Sequence, residues 1–487
     1  MEASCGGFLK GDASEARAFL EGVSMRRHVA PCLGWAFYLL SVTILVWDGS
    51  RTPESSLLSG EAAFTFGLVR LLFFSGGFFL GAYCAWKRRG SYRFGRVLCV
   101  AAGLIALGGL SVLAASLVSV WMAMLGAGFI GIGSAVLFML WQKAFSLRGI
   151  FVAGYCLMIA SALGVLLFLA VSLVGFFGYP ITMSVCAALV SAGILWAVGK
   201  DAPSDVYPAM LGWARKTPFR DLWKPVLCVS AFGFVWQIVY ALGLSNPSLS
   251  AVLQSSFVFS QLLASLALGI AWYRFHEYVH IELVFQLLFP IMATGFLLMP
   301  FFGYSYRVAF ISFSLFAFGV MSILMQLACL QKSESLHVDP IIVVGVFAGF
   351  VYSSMTAGFV VGHALQGGSD FGFAHLLVLA LVLVYGLSAV FFAIKFRWRE
   401  SKPAGAVDGE VEGARDVCGA IARDAGLSAR ETEVFGLIVK GRDLPYIADK
   451  LVVSKNTVRT HMKNIYVKLG VHSKQEVIDL VDAFEKR

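Results

Sequence analysis

Apolar runs of about twenty residues recur through the first 394 positions of this chain. Each is long enough to cross the ~30 Å hydrocarbon core of a bilayer as a helix. Twelve such runs are legible: 33–47, 64–86, 97–117, 121–141, 150–174, 181–198, 225–244, 249–272, 283–302, 308–330, 341–361 and 375–394. Buried backbone groups must find partners within the segment when no water is present, so these runs predict helices rather than strands. Composition agrees. Hydrophobic residues make up 59% and charged residues 14%, against ~45–50% and ~25% in ordinary soluble proteins. A disordered chain, a collagen-like rod and a secreted disulfide scaffold are excluded. The nine cysteines include no pair at C-x-x-C spacing, so neither a zinc site nor a disulfide framework is expected. The first thirty residues are polar and mixed in charge, without the apolar core and cleavage site of a secretory signal.

Basic residues set the expected orientation, because Lys and Arg accumulate on the cytoplasmic side. If the segment 1–30 is cytoplasmic, the inner connections and ends hold 22 Lys and Arg, including Lys87, Arg88, Arg89, Lys143 and Lys395. The outer loops hold two, Arg51 and Arg307. Both ends are therefore expected inside the cell, with the bundle lodged in the inner membrane. The longest inner connection, 199–224, divides the twelve spans six plus six. In that plan the region 31–395 resembles the major facilitator superfamily, built from two six-helix halves. The resemblance rests on architecture. The family's loop signature between spans two and three falls on Gly81-Ala-Tyr-Cys-Ala-Trp-Lys-Arg-Arg-Gly90, where the basic cluster is present and the acidic residue is missing.

Beyond residue 395 the character of the chain changes. Residues 396–421 read as a flexible tether, and 422–487 as a small helical domain. Ser428-Ala-Arg-Glu431 is a capping box opening a helix with Val434, Leu437 and Ile438 on one face. Asp443 and Pro445 open a short second helix. Ser454 caps a third, with Val458, Met462, Ile465 and Leu469 at helical spacing. Ser473-Lys-Gln-Glu476 starts a fourth. Two helices joined by a tight turn make a helix-turn-helix. Between Ser454 and Lys474 lie five basic residues, Lys455, Arg459, Lys463, Lys468 and Lys474, and no acid. A basic ridge on a helix suits docking in the ~12 Å major groove of double-stranded DNA.

Here the resemblance becomes specific. Leu427-Ser-Ala-Arg-Glu-Thr-Glu-Val434, Gly441, Tyr446-Ile-Ala448, Leu451, Ser454, Thr457-Val-Arg-Thr-His461 and Lys468-Leu-Gly-Val471 resemble the LuxR-type helix-turn-helix. The resemblance implies a bacterial transcription regulator whose groove-facing residues fall on Arg459, Thr460 and Lys463. Lys455 and Asn456 would lie near the phosphates. It also implies homodimerisation on DNA through the last helix, at Val477, Leu480, Val481 and Phe484.

Two further features bear on chemistry. Arg70 is the one charge well inside a span, and an intramembrane charge is by default a functional-site candidate. With Trp236, Gln237 and Tyr240, and with Gln254 and Gln261 nearby in sequence, it could line a ligand cavity; helix-to-helix hydrogen bonding is the competing explanation. His276-Glu-Tyr-Val-His280 spells a zinc-protease pattern, but no third ligand follows at workable spacing. No catalytic residue, metal site or cofactor is therefore expected. The whole reads as an all-α protein in which a membrane bundle senses a small molecule or a membrane state and a tethered domain binds DNA. The alternative is a transporter carrying a regulatory DNA-binding tail.

Overall fold

The computed structural model describes residues 25–47, 61–87, 92–115, 117–174, 180–199, 247–275, 304–336, 338–364, 424–439, 444–451 and 455–471, with isolated positions between and after them. The chain divides into two compact units, Met1–Phe392 and Ala393–Arg487.

In the first unit nine continuous helices are long and apolar enough to span a membrane, among the described residues. They are α1 (Met25–Trp47), α2 (Glu61–Lys87), α3 (Phe94–Ala115), α4 (Val120–Ser146), α5 (Ile150–Val174), α6 (Pro180–Gly199), α7 (Pro247–Phe275), α8 (Tyr304–Leu336) and α9 (Pro340–Ala364). They coincide with nine of the twelve expected spans. Of the other three, 225–244 appears as a short apolar helix, Val229–Ile238. The span 283–302 is described only at scattered helical positions, and 375–394 only at residue 385. Helix α1 begins at Met25, so it takes in positions that the sequence assigns to the N-terminal segment.

A bilayer supplies no hydrophobic force between helices, so close backbone approach and hydrogen bonds must hold them together. Helix α4 is the clearest case. A Cβ on its Gly131 would lie 2.6 Å from the carbonyl oxygen of Arg70 in α2, and one on Gly126 would lie 2.6 Å from that of Gly108 in α3. Only glycine permits these crossings. Hydrogen bonds tie the same helices further. Tyr38 in α1 donates to the Ser134 carbonyl (3.2 Å). Trp141 donates through Nε1 to Ser191 of α6 (2.9 Å), and Ser191 donates on to the Gly34 carbonyl of α1 (2.7 Å). Around this junction Trp35 stacks on Tyr38, and Phe138, Trp141 and Phe145 meet Trp35 edge to face. Between the two halves of the bundle the principal contacts pair α2 with α9 and α5 with α7. Spans two, five, eight and eleven thus form the seam, as a six-plus-six pseudo-twofold demands.

In the second unit, α10 (Ala429–Val439), α11 (Leu444–Leu451) and α12 (Lys455–Leu469) enclose a core of Val434, Phe435, Ile438, Ile447, Val458 and Ile465. Fully burying each such side chain contributes ~1.5–3 kcal/mol. This is an ordinary water-driven core and needs no bilayer. Gly470, at φ 66°, ends α12 in the left-handed region that glycine tolerates.

Candidate functional site

The first unit encloses a cavity of about 270 Å³ at the seam. Arg70 of α2, together with Trp236, Gln237 and Tyr240 of the short 229–238 segment and the residues just after it, lies in its wall, and so does Gln261 of α7. The structure therefore brings together residues that the sequence separates by up to 191 positions. Gln254 is not part of the lining. Positions that do not stand out in the sequence complete it: Phe74, Phe257, Phe318, Tyr352 and Phe359 supply rings, and Ser134, Ser161 and Ser322 supply small polar points. An aromatic inside an apolar run carries no signal of its own. Tyr240 is fixed by donating its hydroxyl proton to the Val46 carbonyl of α1. Arg70 sits nine residues into α2, about 13 Å from the Glu61 end at 1.5 Å per residue.

The end of the bundle opposite Glu61 is fastened across the seam. Lys143 Nζ at the end of α4 lies 3.0 Å from Asp339 Oδ2, which precedes α9. Tyr92, just before α3, donates to the same carboxylate oxygen at 2.8 Å and accepts from Lys143 at 2.6 Å, with its ring 4.3 Å from the ammonium. Asp339 Oδ1 meanwhile accepts from the Ile341 backbone N–H at 3.0 Å, capping α9. The preceding residue of α4, Gln142, donates to Gln326 of α8 at 2.7 Å. The sequence placed Lys143 only as one inner positive charge among 22. The His276–His280 pattern lies outside the described residues, and no cluster of three metal-ligating side chains occurs among the described ones.

In the second unit the helix-turn-helix is α11 and α12. Val458 and Ile465 of α12 are buried, Met462 and Leu469 pack half-buried against the core, and Asn456, Arg459, Thr460 and Lys463 are exposed on the other side. Arg459 donates to Asn456 Oδ1 at 3.3 Å, and Thr460 donates to the Asn456 carbonyl at 3.1 Å, so these three side chains form one preset surface. Lys455 opens the helix. Val467, 76% exposed, extends the same side and was not singled out from sequence. Lys468 differs from the other cations. Its Nζ lies 2.7 Å from Glu431 Oε2 and donates to the Gly426 carbonyl at 3.0 Å, pinning the end of α12 to the start of α10. Glu431 also closes the capping box, accepting from the Ser428 N–H at 2.8 Å while its own N–H meets Ser428 Oγ at 3.3 Å. The Lys468 hydrogen bond, reinforced by the Ser428 backbone, lowers the Glu431 carboxyl from 4.5 to about 2. In the last helix, Val477 and Val481 are buried in the domain's own core and Leu480 is half-buried against it. Phe484 lies outside the described residues.

Residues 425–481 match the family described as bacterial regulatory proteins, luxR family. The Fimbriae Z protein of Escherichia coli K12 is 46% identical over 59 residues, 12% of this chain and 28% of that protein. The HTH-type transcriptional regulator MalT of Serratia proteamaculans is 43% identical over 56 residues, 12% of this chain and 6% of MalT. The chain thus spans well under a third of these relatives' lengths. For the bundle, the outward-conformation structure of the major facilitator transporter FucP aligns with a TM-score of 0.51 at 14% identity, covering 76% of this chain and 99% of FucP. A bacterial homologue of the iron transporter ferroportin aligns with a TM-score of 0.57 at 13% identity, with 76% and 99% coverage. At such identities the likeness establishes the fold. The chain is a membrane protein that joins a major facilitator fold to a C-terminal DNA-binding domain of the luxR family of bacterial regulatory proteins.

Proposed function

We propose that this chain is a one-component transcription regulator held in the bacterial inner membrane, with both ends cytoplasmic and a bundle that senses a small molecule. The observation carrying the proposal is a charged cavity at the seam of a two-half bundle on the same polypeptide as a luxR-family domain. A ligand that prefers one arrangement of the halves shifts their equilibrium. The tether converts that shift into a change in effective concentration or pairing of the DNA-binding domains. In this reading Arg459, Thr460 and Lys463 face the bases of the major groove, and Lys455 and Asn456 lie near the phosphates. Two copies pair on DNA through the last helix. Val477 and Val481 are occupied within their own domain, so of the four apolar positions Leu480, half-buried, is the described one with surface left for a partner.

The test exchanges the bundle for an unrelated membrane anchor while keeping residues 396–487. Loss of inducible transcription with retention of DNA binding is the expected result. Full regulation by the anchored domain would reduce the bundle to a tether. The fold shared with transporters favours one second reading, a transporter whose tail regulates genes. Uptake of a solute by vesicles carrying the wild-type chain, abolished in Arg70→Ala, would establish it.

A further inference from the structure

We propose that the seam cavity binds a small organic monoanion, a carboxylate on an apolar ring-bearing body, with the carboxylate held by Arg70. The inference rests on the reading of this cavity as the ligand site and specifies what enters it. Among the described residues, Arg70 is the sole charge in the cavity wall and no Asp or Glu shares it. The guanidinium has neither a carboxylate nor a hydrogen-bond acceptor among the described side chains and carbonyls. Two cations elsewhere among the described residues are matched by carboxylates: Lys143 meets Asp339 and Lys468 meets Glu431.

Arg70 is half-buried. Its guanidinium carries five N–H donors and a fixed charge, and such a group is costly to hold within a membrane bundle without a partner. A structural arginine would have found a carbonyl or carboxylate. An arginine in a cavity wall without such an acceptor is completed by what the cavity admits. A carboxylate matches the guanidinium fork with two parallel hydrogen bonds. A dianion such as a phosphate monoester would call for a second cation, and the described wall offers none. The rest of the lining sets the body of the ligand. Trp236, Phe74, Phe257, Phe318 and Phe359 provide ring faces, and Gln237 and Gln261 provide amides for one or two polar substituents. The volume, about 270 Å³, falls at the small end of the ~300–1,000 Å³ typical of small-molecule sites. That admits a single-ring acid and rejects nucleotides and peptides.

The test uses the full chain in lipid nanodiscs. The probes are benzoate, phenylacetate and 3-phenylpropionate, each with its neutral amide, and 2-phenylethylamine as the cationic counterpart. Binding is read from thermal unfolding and from tryptophan fluorescence. At least one acid is expected to bind ten times or more tighter than its amide, with the amine silent. Arg70→Gln should bring the acid-to-amide ratio close to one while the amide's own affinity holds. Arg70→Lys, which keeps the charge without the fork, should retain part of the preference. Equal binding of acid and amide, an acid preference that survives Arg70→Gln, or no binding by any acid would overturn the proposal. The amide's unchanged affinity in Arg70→Gln shows that the variant is folded. If an acid binds through Arg70 but promoter output in cells does not respond to it, the sensing reading fails and the site stands. If a neutral compound governs transcription and no acid binds, the reverse holds.

Discussion

Asp339→Asn isolates the charge that fastens one end of the bundle. Asparagine keeps the shape and still caps α9 through its side-chain oxygen, since Asn and Asp are comparable N-caps. What is removed is the attraction across 3.0 Å to Lys143. At an effective dielectric of about 20, a pair that close is worth about 5 kcal/mol before desolvation is counted. Asp339 is 3% exposed and Lys143 14%, so the lysine left behind is largely out of water. Removing one member of a buried pair typically costs ~3–5 kcal/mol. The clasp joins α4 of one half to α9 of the other, so the loss falls on the arrangement in which this end is closed. A shift of about 3 kcal/mol changes the ratio of closed to open bundles by over a hundredfold. The assay is a double-mutant cycle on the purified chain: wild type, Asp339→Asn, Lys143→Met and the pair, each read by thermal unfolding. Accessibility of a cysteine placed beside Gln326 serves as a second readout. A coupling of at least 1.5 kcal/mol, with faster cysteine labelling in the single variants, is expected. Additive effects, or unchanged labelling after Asp339→Asn, would refute the idea that this pair closes the bundle.

Three other outcomes follow from the geometry. Gly131→Ala puts a methyl 2.6 Å from the Arg70 carbonyl, so it should cost ~1–3 kcal/mol in thermal stability through overpacking; Gly76→Ala, where the added carbon meets nothing within 4 Å, should be nearly silent. For the isolated segment 413–487, Arg459→Ala and Lys463→Ala should each weaken operator binding by ~1–3 kcal/mol in a mobility-shift titration; unchanged binding in both would remove the exposed face of α12 as the reading surface. The Glu431 carboxyl is lowered from 4.5 to about 2 on folding. Its contribution is therefore present in full above pH ~4.5 and lost as the pH falls towards ~2. Urea unfolding of the same segment should show that decline, and Glu431→Gln should flatten it.

The parts of this molecule visible in its sequence are those written in local periodicity. Apolar runs give the spans because each helix must satisfy its own backbone. The capping boxes at Ser428 and Ser473 give helix starts because their partners lie three residues away; the first is complete, and at the second the Glu476 N–H donates to Ser473 Oγ, which donates in turn to the Glu476 carboxylate. Arg70 stood out because a charge contrasts with its span. Contacts made by distant residues could not be read this way. Lys143 and Asp339 lie 196 positions apart, and each looks like an ordinary loop charge until the helices bring them together. Tyr352 and Phe318 look like bulk apolar residues until a cavity opens beside them. Lys468 misled in the other direction: it sits in a basic run and faces a carboxylate belonging to another helix.

That last pairing changes how the domain should respond to salt. Each duplex phosphate neutralised by a protein cation sets free about 0.9 of a condensed counterion, and the slope of affinity against ionic strength counts those releases. An ammonium already balanced by Glu431 displaces none. The electrolyte dependence of operator binding should therefore be shallower than a tally of basic letters implies, and discharging Lys468 should leave that slope where it was.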